Sequence, residues 1–256
     1  MTEPLLTTTD VVVRFGVLQA VSHASIEVPP GRITGLIGPN GAGKTTLFNV
    51  ITGVLPADAG SVTLRGEELL GLRPDQIRRR GLSRTFQTLE LFPALTLEEH
   101  ILIGMQANTR TNLLAACFGM PSVRRQEREL RAQTHKGFGP FGDRLTADRY
   151  NDRADSLSYA NRRRLEIARA LAAEPEVLLL DEPAAGMNPH ERAQLTSAIG
   201  HLRDEGQTIL LIEHHMELVT SVSDRVVALD HGQKIAEGTP REVVDNPLVV
   251  EAYLGT

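Results

Sequence analysis

The chain has 256 residues, of which 41% are hydrophobic, and its formal net charge is -5. This length supports a well-buried core in one large domain or two small ones, and the acidic balance weighs against binding nucleic acid or anionic lipid by charge alone. The absence of an N-terminal signal pattern and of any run of about 18 apolar residues, together with the single cysteine Cys117, predicts a cytoplasmic chain that does not span a membrane.

The first third of the chain predicts two strands followed by a strand, a loop and a helix. Residues rich in β-branched side chains predict strands at 11–15 and 21–28. A short apolar strand at 32–37 then ends at a glycine-rich loop, and a helix is predicted at 44–52. A further strand is predicted near 62–64.

The middle of the chain has a different character. From about residue 89 to residue 157 the segments become longer, charged and helix-prone, as at 123–133. They are interrupted by GFGPFGD at 137–143, where glycine and proline favour a loop to which no regular structure can be assigned. This pattern predicts a helical insertion.

Strands and helices alternate again in the last third. The predicted elements are a helix from Ser158 to Ala172, a strand at 177–180, a helix at 189–205, a strand at 208–212 and a closing hairpin of strands at 226–229 and 234–236. Such alternation is typical of an α/β core with a largely parallel sheet.

A phosphate-binding motif follows the strand predicted at 32–37. GPNGAGKT, residues 38–45, satisfies the pattern G-x-x-x-x-G-K-[ST] directly between a predicted strand and a predicted helix. Its glycines let the backbone wrap closely around a triphosphate, Lys44 places a cation on the phosphates, and the Thr45 hydroxyl can bind Mg²⁺. The motif and its context together favour a triphosphate site over an incidental glycine-rich turn.

An acidic pair follows the apolar strand predicted at 177–180. A carboxylate at the C-terminal end of a core strand lies beside the phosphate loop in this architecture, so Asp181 can hold Mg²⁺ and Glu182 can orient or deprotonate a water. Such a pair is often only a helix cap. The phosphate loop in the same chain favours the catalytic role.

Ser158 lies at the start of a predicted helix that is unusually rich in polar and cationic side chains. It can cap the first backbone N–H groups, and the free N–H groups at a helix N-terminus attract anions such as phosphate. A capped helix with a charged face is usually a solvated surface helix. The residues of this segment do not by themselves show which phosphate it would bind.

Six motifs in a fixed order resemble those of ATP-binding cassette (ABC) transporter ATPases. Beside GPNGAGKTT, the chain has segments similar to the family's glutamine loop, signature helix, second nucleotide motif, following loop and switch histidine. They are RTFQ (84–87), LSYANRRRLEIARAL (157–171), LLLDEP (178–183), AGMN (185–188) and EHH (213–215).

The resemblance implies a P-loop NTPase fold of the α/β class. We expect a largely parallel core sheet, an N-terminal antiparallel β subdomain and an inserted helical subdomain. Residues 1–256 would form a single ABC ATPase domain, with the nucleotide-binding core at 1–88 and 158–256 and the helical insertion at 89–157.

The resemblance also implies ATP and Mg²⁺ as cofactors and assigns roles by position. The expected catalytic residues are Glu182, His214 and Gln87. Glu182 would act on the attacking water, His214 would contact the γ-phosphate and align Glu182, and Gln87 would touch Mg²⁺ and the attacking water while sensing the membrane partner. Thr45, Gln87 and Asp181 would hold Mg²⁺. The expected ATP-binding residues are Phe15, Gly38, Pro39, Asn40, Gly41, Ala42, Gly43, Lys44, Thr45, Thr46, Ser158, Tyr159, Ala160 and Asn161. Phe15 would stack on adenine, although core packing is nearly as good an account of it.

The implied assembly is a head-to-tail dimer, either a homodimer or a heterodimer with a sister ATPase. Each of two ATP molecules would lie between the phosphate loop of one subunit and the signature helix of the other. Hydrolysis would drive integral membrane permease subunits and, through them, act on a solute-binding protein. We expect the chain to be peripheral on the inner face of the cell membrane and not to bind nucleic acid.

Several segments are more similar in sequence to one group of the family than to the others. SLSYANRRRLEIARAL, DEPAAGMNP, LLIEHHMELV and EGTPREVVDNPLVVEAYLG are similar to the ATPase subunits of branched-chain amino acid importers, and the Ala-Tyr-Leu-Gly ending is the most selective. ATPases of urea or amide uptake and of lipopolysaccharide export are close alternatives. A DNA-repair ABC ATPase fits the sequence less well, because such chains usually have a long coiled coil between the motifs and no sustained heptad pattern is present here. A small-molecule kinase would share the phosphate loop alone.

Two signature residues differ from the family pattern, which usually has glycine where Ala160 stands and glutamine where Asn161 stands. A β-carbon at Ala160 would crowd a close backbone approach and, if the position needs a positive φ, would cost about 1 kcal/mol. We therefore expect a weakened signature site.

Overall fold

The computed structural model describes residues 3–86, 88–106, 138, 141, 145 and 149–254. Residue contacts divide the chain into two compact units, one formed by Met1–Gln87 with Glu176–Thr256 and the other by Thr88–Pro175. The second boundary falls at Pro175 and not at the predicted residue 157, because the helix that follows Ser158 packs against a helix of the second unit. The predicted helix at 123–133 and most of the loop at 137–143 lie outside the described residues.

The β-strands lie in residues 6–84 and 177–238. They are β1 (Leu6–Phe15), β2 (Leu18–Val28), β3 (Ile33–Ile37), β4 (Ala59–Leu64), β5 (Glu67–Glu68), β6 (Leu82–Arg84), β7 (Val177–Asp181), β8 (Thr208–Ile212), β9 (Arg225–Asp230) and β10 (Gln233–Gly238). The α-helices are α1 (Lys44–Ile51), α2 (Pro74–Arg79), α3 (Leu97–Gln106), α4 (Tyr159–Leu171), α5 (Pro189–Asp204), α6 (Met216–Val222), α7 (Pro240–Val244) and α8 (Pro247–Leu254).

The first unit contains two sheets. One is antiparallel with the order β2-β1-β4-β5, and the other has the order β10-β9-β3-β8-β7-β6. In the second sheet the strands from β9 to β6 are parallel, and β10 pairs antiparallel with β9. The predicted fold class, a largely parallel α/β core with an N-terminal antiparallel subdomain, is confirmed.

Helix α1 contributes to a core that includes residues of both sheets. Leu47, Phe48 and Ile51 are fully buried in it. The strand residues of the same cluster include Val11, Val21 and Val62 from the antiparallel sheet and Leu36, Leu179 and Leu210 from the parallel sheet. This packing fixes the start of α1, and hence the loop before it, against β3.

The described part of the second unit is mainly helical. Helix α3 packs against α4, and a 3₁₀ turn at Ala154–Ser156 precedes α4. The two helices approach closely at Gly104, where an added Cβ would lie 2.2 Å from the carbonyl oxygen of Arg169. A side chain at this position would therefore separate the helices.

Charged residues of α4 are buried, contrary to the expectation of a solvated face. The exposed fractions are 0% for Arg163, 4% for Arg164 and 1% for Glu166. Arg163 forms an ion pair of 2.7 Å with Glu166, and Arg164 donates to Asn161 Oδ1 at 2.6 Å. Since buried charges are tolerated only when they are paired, these contacts explain how α4 packs inward with a charged sequence.

Among the residues that the structure describes, no helix is both long enough and apolar enough to cross a membrane.

Candidate functional site

The parallel sheet brings three predicted site segments to one edge. Strand β8 lies between β3 and β7, and Ile212 at its end is aligned with Leu36 on one side and Asp181 on the other. Because parallel strands end on the same side of a sheet, the segments that follow these three strands lie close together. They are the phosphate loop, the acidic pair and the segment with His214.

A cleft of about 260 Å³ lies at this edge. It is lined by most of the phosphate loop and by two of the predicted catalytic residues, Glu182 and His214, which follow the neighbouring strands β7 and β8. The lining residues are Ala20, Asn40, Gly41, Ala42, Gly43, Lys44, Thr45, Thr46, Glu182 and His214. Residues far apart in the chain thus share one solvent-accessible space.

Glycines of the phosphate loop occupy positions that other residues could not. Gly43 has φ +94° and an added Cβ there would lie 2.3 Å from the carbonyl oxygen of Ala20. Gly38 has φ +146°, and its Cβ would lie 2.1 Å from the carbonyl oxygen of Leu229. The loop is therefore a tight backbone cradle directly before the N-terminus of α1, which suits an anionic ligand.

Lys44 is held against the loop that precedes it. Its Nζ donates to the carbonyl oxygens of Gly38 at 2.6 Å and Pro39 at 2.8 Å. Burial lowers the pKa of Lys44, and the nearby carboxylates of Glu182 and Asp181 oppose this shift. The ammonium group is thus positioned beside the cradle and next to two carboxylates.

Glu182 and His214 are in direct contact. His214 Nε2 lies 2.5 Å from Glu182 Oε1, and the side chains are 34% and 15% exposed. Glu182 has φ +48°, and its N–H donates to the carbonyl oxygen of Ile212 at 2.9 Å. A non-glycine residue in this region is strained, and such strain is concentrated at functional sites.

Glu213 is a buried carboxylate that sequence reasoning did not single out. Its Oε1 accepts from the N–H of Ala184 at 2.9 Å, and its Oε2 accepts from the N–H groups of His214 and His215 at 2.9 and 3.1 Å. Oε2 also lies 3.0 Å from His215 Nδ1. Glu213 therefore joins the loop after β7 to the loop after β8. The sequence feature that could have pointed to Glu213 is a charged residue directly after the strand predicted at 208–212.

Asp181 pairs with Arg84, a second residue that the sequence analysis named only as part of a motif. Arg84 Nη2 lies 2.8 Å from Asp181 Oδ2, and the two side chains are 5% and 0% exposed. Arg84 Nη1 donates to Asn49 Oδ1 at 2.7 Å, and the guanidinium lies 5.0 Å from the centre of the Phe86 ring. Arg84 thereby ties the end of β7 to α1.

The first residues of α4 have the geometry of a capped helix start. Ser158 is the N-cap residue and its Oγ accepts from the N–H of Asn161 at 3.4 Å. Ser158 and Tyr159 are exposed, whereas Ala160 is only 2% exposed. Ala160 lies within α4 and does not have a positive φ, so the conditional backbone penalty does not apply in this structure.

Among the described site residues predicted in the first unit, Phe15, Gly38, Pro39 and Asp181 do not line the cleft. Phe15 ends β1 with 52% of its surface exposed and is not among the lining residues, so its proposed adenine contact has no support from the cleft itself. Gln87 lies outside the described residues.

Comparisons with known proteins identify the family. Residues 21–185 match the ABC transporter family, and residues 233–256 match the branched-chain amino acid ATP-binding cassette transporter family. The chain is 43% identical to the high-affinity branched-chain amino acid transport ATP-binding protein BraF of Pseudomonas aeruginosa, with 100% of this chain and 99% of BraF covered. It is 42% identical, with the same coverage, to the corresponding protein LivG of Escherichia coli strain K12.

A solved structure agrees with these relatives. An ATP-binding cassette of an ABC transporter in its ADP conformation is 33% identical, has a TM-score of 0.83 and is matched over 100% of both chains. The chain therefore belongs to the ABC transporter family, as one of its ATP-binding, ATP-hydrolysing subunits.

Proposed function

We propose that this chain powers the uptake of branched-chain amino acids, or of closely related small polar solutes, through partner membrane permeases. The observation that carries the proposal is the match of residues 233–256 to the branched-chain amino acid cassette family. The names of BraF and LivG, which are similar over the whole of this chain, point to the same class of solute.

The cleft supports a specific division of labour in ATP hydrolysis. The phosphate loop and Lys44 would bind the phosphates, because backbone N–H groups and an ammonium group offer donors and positive charge. Glu182 would accept a proton from the attacking water. The 2.5 Å contact with His214 supports the proposal that this histidine keeps the carboxylate aligned.

Oxygen donors at this end of the sheet support a magnesium site. Thr45 lines the cleft and offers an exposed hydroxyl, and Asp181 offers a fully buried carboxylate at the end of β7, where its Oδ2 pairs with Arg84. Mg²⁺ prefers such oxygen ligands and neutralises charge on the phosphates when it is bound. We assign its ligands to Thr45, Asp181 and Gln87, the last of which lies outside the described residues.

The complete site would require a second ATPase subunit. Ser158 and Tyr159 are exposed at the N-terminus of α4, and Ala160 and Asn161 are the next residues in the chain. This exposure supports a head-to-tail dimer in which the start of α4 binds the ATP held by the partner's phosphate loop. The partner could be a copy of this chain or a sister ATPase.

The solute would be chosen by other subunits. In this proposal integral membrane permeases and a solute-binding protein contact the amino acid, and this chain attaches to the permeases at the inner face of the cell membrane. The ATPase supplies the energy and has no solute site of its own.

Isolation of the chain with its partners tests the proposal. The tagged protein is purified from membranes of its host, the co-purified subunits are identified, and the complex is reconstituted in lipid vesicles. We expect permease subunits to co-purify and a solute-binding protein loaded with leucine, isoleucine or valine to stimulate ATP hydrolysis. Lys44→Ala is the matched control, because it should retain the same subunits but lose hydrolysis.

Other stimulants would contradict the proposal. Stimulation by urea or an amide alone would move the chain to amide uptake, and stimulation by lipopolysaccharide would move it to export. Stimulation by DNA in the absence of any permease would favour a DNA-repair role.

A further inference from the structure

The C-terminal helix reaches the phosphate loop through one tyrosine. The backbone N–H of Gly38 donates a hydrogen bond of 2.8 Å to the hydroxyl oxygen of Tyr253. Tyr253 lies in the Ala-Tyr-Leu-Gly ending, which no step of ATP hydrolysis described above uses. The two residues are 215 positions apart in the chain.

The packing of α8 explains why Tyr253 arrives at this point. Asn246 fixes the start of the helix, since its Oδ1 accepts from the N–H of Leu248 at 2.9 Å. Val249 is 3% exposed and belongs to a hydrophobic cluster that includes Ile37, the last residue of β3. Residues four positions apart lie on the same face of a helix, so Tyr253 follows Val249 toward Gly38, the residue after Ile37.

Both peptide groups that flank the Cα of Gly38 are held by side chains. The N–H on one side donates to Tyr253, and the carbonyl oxygen on the other side accepts from Lys44 Nζ at 2.6 Å. The space around Gly38 is also restricted, because a Cβ would lie 2.1 Å from the carbonyl oxygen of Leu229. Rotation about Gly38 would therefore break at least one of these hydrogen bonds.

We propose that Tyr253 is a positioning residue of the phosphate loop, through which the C-terminal helix sets the affinity for nucleotide. Its hydroxyl satisfies the buried N–H of Gly38 and thereby fixes the first turn of the loop and the carbonyl group that orients Lys44. The inference depends on nucleotide binding at this loop and does not depend on the transported solute.

Tyr253→Phe tests the hydroxyl while keeping the ring. The full-length variant is titrated with a fluorescent ADP analogue and with ATP and Mg²⁺, and steady-state hydrolysis is measured over a range of ATP concentrations. Loss of one hydrogen bond that water can partly replace predicts a Kd for nucleotide about 3 to 10 times higher. We expect KM for ATP to rise by a similar factor and kcat to change less than about twofold, because no group that touches the reacting atoms is removed.

Two variants serve as matched controls. Tyr150→Phe removes a tyrosine hydroxyl from the second unit, and Leu254→Ala changes the neighbour of Tyr253 on α8, a side chain that is 79% exposed. Both should keep the wild-type Kd. The thermal midpoint of each nucleotide-free variant reports any general loss of stability.

The outcomes separate this inference from the proposed function. An unchanged Kd in Tyr253→Phe, or an equal rise in Leu254→Ala, would overturn it, since the hydroxyl would then have no specific role. A lowered thermal midpoint with an unchanged Kd would overturn it as well and leave a structural role only. If the wild-type chain bound no nucleotide, the proposed function would fail together with the inference.

Discussion

Glu182 combines an unusual backbone conformation, a contact with His214 and a position directly after a core strand. Its backbone has φ +48°, its carboxylate contacts His214, and it follows directly on a fully buried strand. The N–H of Glu182 bonds to the carbonyl oxygen of Ile212, which continues the parallel pairing of β7 with β8 beyond the strand. The strained backbone thus places the carboxylate in the cleft while the pairing of β7 with β8 is kept.

The substitution Glu182→Gln is expected to abolish ATP hydrolysis but not ATP binding. An amide cannot accept the proton of the attacking water, and loss of a general base lowers turnover by about 10²- to 10⁴-fold. The affinity for ATP should stay within about threefold, because the amide has nearly the same size. Phosphate release measures the first effect and titration with a fluorescent ATP analogue measures the second.

A second glutamate with the same positive φ offers a control. Glu174 is exposed, lies in the second unit and also has φ +48°. Glu174→Gln should retain wild-type turnover. Retention of more than a tenth of the activity by Glu182→Gln would show that this carboxylate is not the base.

Among the helices, α3 contains a fully buried histidine that is held in its neutral form. His100 Nε2 accepts from the N–H of Phe92 at 3.1 Å, so the proton on the ring is at Nδ1, which lies 2.8 Å from the carbonyl oxygen of Thr96. Burial lowers the pKa of His100, the hydrogen bond to Thr96 and the charge of Glu99 oppose this, and the charge of Arg169 adds to it. A proton on Nε2 would break the bond from Phe92.

The stability of the chain should therefore depend on pH through α3. Because the pKa of His100 is lowered in the folded chain, the unfolded chain binds a proton at His100 more readily as the pH falls below about 6.5, and the free energy of unfolding falls with pH in this range. In His100→Gln this contribution is absent. We expect a smaller loss of stability between pH 7.5 and 5.5, by at most about 1.4 kcal/mol per pH unit.

Urea denaturation at the two pH values measures the difference. His231→Gln is the control, because the His231 side chain is 95% exposed, and it should show the wild-type difference. An identical pH difference in His100→Gln and in wild type would refute the assignment.

For the whole molecule, the informative position is Ala160, which in the proposed dimer would lie where two subunits meet. Ala160 has a helical backbone and is buried, so the remaining reason for a weak signature site is crowding by its methyl group. Crowding would be felt in the closed dimer and not in the isolated chain.

Ala160→Gly is expected to raise ATP turnover of the assembled transporter. Overpacking by a methyl group costs about 1–3 kcal/mol, and relief of about 1 kcal/mol in the closed state corresponds to roughly a fivefold increase. Glycine within a helix, however, lowers the stability of the isolated chain by about 0.5–1 kcal/mol. Turnover is measured in the reconstituted complex. Ala172→Gly at the other end of α4 is the matched control, and unchanged or lower turnover in Ala160→Gly would contradict the expectation.

Elements whose signals are local could be predicted from the order of the residues alone. The phosphate loop, the acidic pair after β7 and the N-cap of α4 each lie within a few consecutive residues, where propensity and hydrogen bonding act directly. The three-residue strand β6 was not predicted, because it is too short for a periodic pattern and its order comes from pairing with β7. The burial of Arg163 was missed because it depends on its pairing and on packing with other elements.

Contacts between side chains that are distant in the chain could be identified only from the folded structure. His214 reaches Glu182 across 32 positions of the chain, Arg84 reaches Asp181 across 97, and Tyr253 reaches Gly38 across 215. Motif order could suggest the first of these pairs but not the other two. The physical reason is that such hydrogen bonds exist only after the parallel strands have aligned their ends and the C-terminal helix has packed its apolar face against the sheet.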